Sequence, residues 1–90
     1  MTMSNNGLSK LIEECGEVLQ IAGKLLAYPN GRHPDGKGDL KSRLELELGD
    51  LRAAIQFVIE THRLDGSCTI SEQYARKLAL FREWHADPNN

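Results

Sequence analysis

Leu40, Leu44, Leu48, Leu51, Ile55, Val58 and His62 recur at steps of three and four. That period puts them on one side of an α-helix and constrains the chain more than any other feature. A second run, Leu8, Leu11, Cys15, Val18, Ala22 and Leu25, repeats it near the start. A third, Ile70, Tyr74, Leu78, Phe81 and His85, repeats it near the end. No stretch alternates with the period of two that a strand requires. The expected fold is all-α, with three main helices in a single domain over residues 1–90.

Punctuation residues set the boundaries. The first helix is expected from Gly7 to Ala27, ending at Tyr28 because Pro29 disfavours helix in the residue before it. Residues 28–39, containing PNGRHPDGKGD, form a turn-rich loop. The eleven residues of PNGRHPDGKGD alone exceed the roughly 2–8 usual between helices. Asp39 is a good N-cap for the second helix. Asp65-Gly66 is expected to end it, with Gly66 just past the terminus. Thr69-Ile70-Ser71-Glu72 has the form of a capping box opening the third. The tail, 86–90, is expected to fray.

Composition narrows the function classes. With 90 residues and 40% hydrophobic content, the chain makes a small core, and oligomerisation is a common remedy. A formal net charge of −2 and the lack of a basic run argue against nucleic acid as a partner. No apolar run approaches the ~20 residues that cross a bilayer, so no membrane partner is expected. MTMSNNG lacks the basic and apolar regions of a secretory signal. Cys15 and Cys68 make no disulfide framework, which suggests a cytoplasmic chain with reduced thiols.

The chemistry-bearing residues are acids. Glu14-Cys15-Gly16-Glu17 and Glu47-Leu48-Gly49-Asp50 each place an acid, two spacers and a second acid beside an apolar seam. Acids three apart share a helix face. If the two helices pack along their seams, four carboxylates converge at the edge. They cannot all stay ionised without a counter-charge. An all-oxygen set suits Mg²⁺, with Mn²⁺ as the alternative. A di-iron bundle wants Glu-x-x-His, and His33, His62 and His85 do not follow a glutamate at that spacing. Zinc usually takes Cys or His ligands, which these pairs do not offer. Against this, acids on helices are commonest as solvated faces, and Lys10–Glu14 and Arg43–Glu47 have the spacing of surface ion pairs. The spacers Gly16 and Gly49 weaken a helix by about 1 kcal/mol each relative to alanine but let a backbone or ligand approach.

EECGE followed by ELGD resembles the Glu-x-x-Glu … Glu-x-x-Asp signature of the MazG-like, all-α nucleoside triphosphate pyrophosphohydrolases. LSKLIEECGEVLQIAGKL and RLELELGDLRAAIQFVIE are similar to helices of that family, and HPDGKGDLKSRL to the loop of its small phage and bacterial members. The 29-residue gap from Glu17 to Glu47 is slightly longer than usual there. The resemblance implies a hydrolase that cuts a nucleoside triphosphate, with a deoxynucleotide expected, into monophosphate and pyrophosphate. It implies Mg²⁺ or Mn²⁺ held by Glu14, Glu17, Glu47 and Asp50, which would also be the catalytic residues. Glu13 would support these ligands from beside them. It further implies a homodimer with a four-helix-type core, or a dimer of dimers.

Phosphate charge needs basic partners, for which Lys24, Arg43, Lys37 and Lys41 are the candidates. For a base, Tyr28, Phe57 and Trp84 are candidates to stack, although Phe57 and Trp84 also have the spacing of core residues, and Asn5 and Asn6 are candidates to bond its edge. A dUTPase or dCTPase of the same fold is an alternative. So is a phosphoribosyl-ATP pyrophosphohydrolase, disfavoured because LRAAIQF follows Asp50 where that branch carries a Tyr-His pair. A non-catalytic helical oligomerisation or regulatory module is the alternative from another class.

Overall fold

The structure is a computed structural model that describes residues 5–64 and 67–86. Among them are three helices, α1 (Leu8–Ala27), α2 (Leu40–His62) and α3 (Thr69–Ala86), and no strand. The all-α expectation and its order of helices agree with this architecture. No helix among the described residues is long and apolar enough to cross a membrane.

Local chemistry accounts for the ends. Asp39 caps α2 by accepting from the Ser42 N–H at 2.9 Å and the Ser42 hydroxyl at 3.2 Å. Tyr28 closes α1, its N–H donating to the Lys24 carbonyl at 2.8 Å. Gly7 precedes α1 with φ +87°, so no side chain caps this end. The α2 terminus differs from the sequence expectation. The helix stops at His62, and Arg63 takes the left-handed conformation, φ 55°, with its N–H on the Glu60 and Ile59 carbonyls. Asp65 and Gly66, expected to end α2, lie outside the described residues, as does the tail from 87 to 90. In α3 the expected cap residue Thr69 is itself the first helical residue, and its hydroxyl shares a hydrogen bond with that of Ser67 at 2.8 Å.

α1 and α2 form the packed pair. Their seam is rotated from the one the apolar repeats suggest. On α1 the covered positions include Leu11, Glu14, Val18, Ile21 and Leu25; Cys15 and Ala22 are exposed. On α2 they include Leu40, Leu44, Glu47, Leu51, Ala54 and Val58; Leu48 and Ile55 are exposed. Both sets keep the alternating three-and-four spacing. Each helix carries apolar residues on two adjoining stripes, so spacing alone could not choose between them. The chosen pair carries a glutamate in each helix.

Among the described residues the buried apolar side chains are few: Ile21, Leu40, Ala54 and Val58, with Leu40 alone completely covered. α3 contains none. On the outer side of α1, Ile12, Leu19 and Leu26 are 72, 74 and 86% exposed at seven-residue spacing. Phe57 and Trp84, expected in the core, are each about half exposed. The radius of gyration is 16.2 Å, against about 12 Å for a compact chain of this length.

The loop between α1 and α2 is pinned by one carboxylate. Asp35 receives Lys24 Nζ of α1 at 3.1 Å and both terminal nitrogens of Arg43 of α2 at 3.2 Å. Its Oδ1 also accepts the Lys37 N–H at 3.0 Å. His33 stacks edge-on to Tyr28, ring centroids 4.8 Å apart, and its Nδ1 accepts the Asp35 N–H at 3.0 Å. Behind the loop, Gly31 (φ +85°) is buried against Asp39; a β-carbon there would lie 2.6 Å from Oδ1. The Lys37 N–H, then Arg43 and Lys24, outweigh burial and hold the Asp35 carboxyl far below its ordinary value. A depressed carboxylate stabilises the fold above the ordinary unfolded range near pH 4, and this contribution fades as pH falls below it. Asp35→Asn is therefore expected to lower the thermal midpoint at neutral pH, with the gap from the parent closing below about pH 4. Melting curves from pH 7 to pH 2 measure this; a constant gap would show that loop packing, not charge, holds the segment.

Candidate metal centre

The rotated seam brings carboxylates between the helices. Glu14 occupies an α1 seam position between Leu11 and Val18, and Glu47 an α2 seam position between Leu44 and Leu51. Asp50 lies one turn after Glu47, on the exposed shoulder of the same groove. One carboxylate oxygen from each of Glu14, Glu47 and Asp50 lies within 4.8 Å of the other two. The sequence places these acids at the seam's edge; the structure puts two of them inside it.

The other expected site residues are arranged differently. Glu17 is exposed and stands outside this cluster. Glu13 is exposed and bonded to Lys10 at 3.0 Å, replacing the expected Lys10–Glu14 pair. Lys24 and Arg43 converge on Asp35; the partner found for Arg43 is thus Asp35 rather than Glu47. Lys37 and Lys41 are exposed, Lys37 in the loop and Lys41 in the first turn of α2. Asn5 serves the turn before α1, accepting from the Gly7 N–H at 3.1 Å and donating to the Ser9 hydroxyl at 3.1 Å. The spacers Gly16 and Gly49 meet nothing within 4 Å where a β-carbon would stand.

Electrostatics mark Glu14. Partial burial pushes its carboxyl above the ordinary range, and repulsion from Asp50, Glu13 and Glu47 pushes it further, with Lys10 opposing. The donor set suits a hard divalent cation: three anionic oxygens, half covered, with open solvent on one side for water ligands.

An open hollow of about 350 Å³ adjoins the acids, lined by Lys10, Glu14, Asp50, Ala53, Ala54 and Phe57. The sequence pairs Lys10 with Glu14 by spacing and offers Phe57 for stacking, but it does not place either beside Asp50. The available signal was the seven-residue step from Asp50 to Phe57, which returns to the same helix face. Comparison with family models, curated proteins and solved structures returned no match.

A carboxyl raised by its surroundings destabilises the fold as pH rises through its folded value, and costs nothing below its unfolded value. Glu14→Gln is accordingly expected to raise the thermal midpoint of the metal-free protein at neutral pH, the gain vanishing toward pH 4. Saturating Mg²⁺ should reverse the order, stabilising the parent more than the variant. Differential scanning fluorimetry with EDTA and with Mg²⁺ tests both; equal midpoints in all conditions would remove Glu14 from the cluster's energetics.

Proposed function

We propose that the chain is a metal-dependent hydrolase of the MazG-like kind, cutting a nucleoside triphosphate, a deoxynucleotide in particular, into monophosphate and pyrophosphate. The observation that carries this reading is the convergence of Glu14, Glu47 and Asp50 across two helices. A helix pair gains stability by burying leucine in its seam, yet this pair places two glutamates there. That arrangement suits a function that needs the acids together.

Glu14, Glu47 and Asp50 would hold Mg²⁺, or Mn²⁺ in its place, with Glu17 reaching from the next turn of α1 and Glu13 steering Lys10. A bound cation supplies charge neutralisation and polarises the phosphate oxygens it touches. In the reaction a water oxygen adds to the α-phosphorus and a carboxylate of the set takes its proton. The bond to the α–β bridging oxygen breaks, and pyrophosphate leaves with the electron pair. Asp35 uses two of the five N–H donors of Arg43, which leaves others for a phosphate near Glu47. Lys24, Lys37 and Lys41 add positive charge around the same loop. The cytoplasm, where free nucleotides occur and thiols such as Cys15 and Cys68 stay reduced, is the compartment this reading implies.

A second copy of the chain is part of the proposal. The accessible surface is 7158 Å², whereas a compact 10.1 kDa monomer exposes about 5,300 Å². A standard interface covers about 800 Å² on each partner. The exposed stripes of α1, α2 and α3 could supply that area, completing a four-helix-type core in a homodimer or a dimer of dimers. This surface also supports the competing reading, a helical oligomerisation module without chemistry.

Incubation with each common NTP and dNTP, with Mg²⁺ and with EDTA, separates the two readings. Metal-dependent release of monophosphate and pyrophosphate is expected, and Asp50→Asn should abolish it. Diphosphate plus phosphate would place the cut at the wrong bond, and no product from any nucleotide would favour the module. Light scattering at micromolar concentration should give at least twice the 10.1 kDa chain mass; a monomer would refute the assembly.

A further inference from the structure

Phe57 is one of several exposed apolar side chains on α2, with Leu46, Leu48 and Ile55. It lies about 10 Å along α2 from Asp50, on the same face, yet it is 51% exposed. Its position is built. Gly7 approaches one edge of the ring so closely that a β-carbon would stand 2.5 Å from Cδ2 and 2.9 Å from Cε2. The left-handed turn containing Gly7 is itself tied to α2, because the Thr61 hydroxyl donates to the Asn6 carbonyl at 2.8 Å. The Gly7 N–H donates to Asn5 Oδ1 within the same turn. The ring is thus braced on one side and open toward the hollow it shares with Glu14 and Asp50.

We propose that Phe57 is the platform on which the flat ring of the nucleotide stacks while its phosphates lie at the acids, and that the site reads the face of that ring rather than its edge. This rests on the pyrophosphohydrolase reading above. The geometry favours face recognition because Phe57 is the one aromatic ring in the wall and the polar groups beside it are already engaged with one another. Ala53 and Ala54 contribute methyl groups. Glu14 and Asp50 belong to the acid cluster. The Lys10 ammonium is bonded to Glu13. Stacking on an aromatic face tolerates any base, since every base has a π-face. The substrate class is therefore nucleoside triphosphates with little regard to base.

The test compares the parent with Phe57→Ala, Phe57→Leu and Phe57→Tyr, after thermal melts establish that each folds. KM and kcat are measured for ATP, GTP, CTP and UTP and their deoxy forms, and inhibition by inorganic triphosphate is measured alongside. Phe57→Ala and Phe57→Leu should raise KM for every base by about tenfold to a hundredfold. kcat should change little, inorganic triphosphate should inhibit as in the parent, and Phe57→Tyr should restore KM. Leucine keeps apolar volume without a flat ring, so its failure isolates stacking from packing. Equal loss for nucleotides and inorganic triphosphate would mean that Phe57 supports the fold or a subunit contact, and would overturn the proposal. Loss confined to one base, or no loss in a parent that turns over nucleotides, would overturn it as well while leaving the hydrolase reading intact. A parent that neither hydrolyses nor binds any nucleotide would overturn both.

Discussion

The Asp35 clamp sets what the rest of the molecule can do. A twelve-residue connection by itself leaves the register of two helices free. Asp35 removes that freedom by taking Lys24 from α1 and a two-pronged Arg43 from α2 on one carboxylate. A planar guanidinium and a carboxylate match in one geometry, so the contact specifies register as well as attraction. With the register held, Glu14 faces Glu47 and Asp50.

The two clusters of charge act in opposite senses. Around Asp35, donors outnumber the acceptor, and its ionised form is favoured. Around Glu14, acids crowd together in a partly dry seam, and its ionised form is disfavoured. A helix pair of this size has little apolar burial to spare: among the described residues four apolar side chains are buried, and of these Leu40 alone is completely covered. Placing the repulsive cluster in the seam is tolerable because the attractive one pins the connection.

The misread seams explain how the site looked in sequence. Leu48 and Ile55, or Cys15 and Ala22, fit the helical period as well as the residues that are covered. Apolar character made the leucine stripe the natural choice, and the acids then fell beside it. The structure instead turns both helices so that Glu14 and Glu47 take seam positions. In that arrangement Asp35 of the loop ties Lys24 of α1 to Arg43 of α2. The same rotation exposes Phe57 and leaves Glu17 outside the cluster, neither of which spacing could foretell.

What the sequence determined by itself was local: three helices from the three-and-four repeats, the start of α2 from Asp39, the end of α1 from Pro29, and the acid pairs from their spacing. Each follows from interactions within a few residues, where chain connectivity fixes the geometry. What only the tertiary structure decided was relative: which stripe of each helix is buried, that three acids rather than four converge, and that Lys24 and Arg43 meet Asp35. Those depend on the rotation and register of one helix against another, quantities that periodicity leaves free and that a few long-range contacts settle.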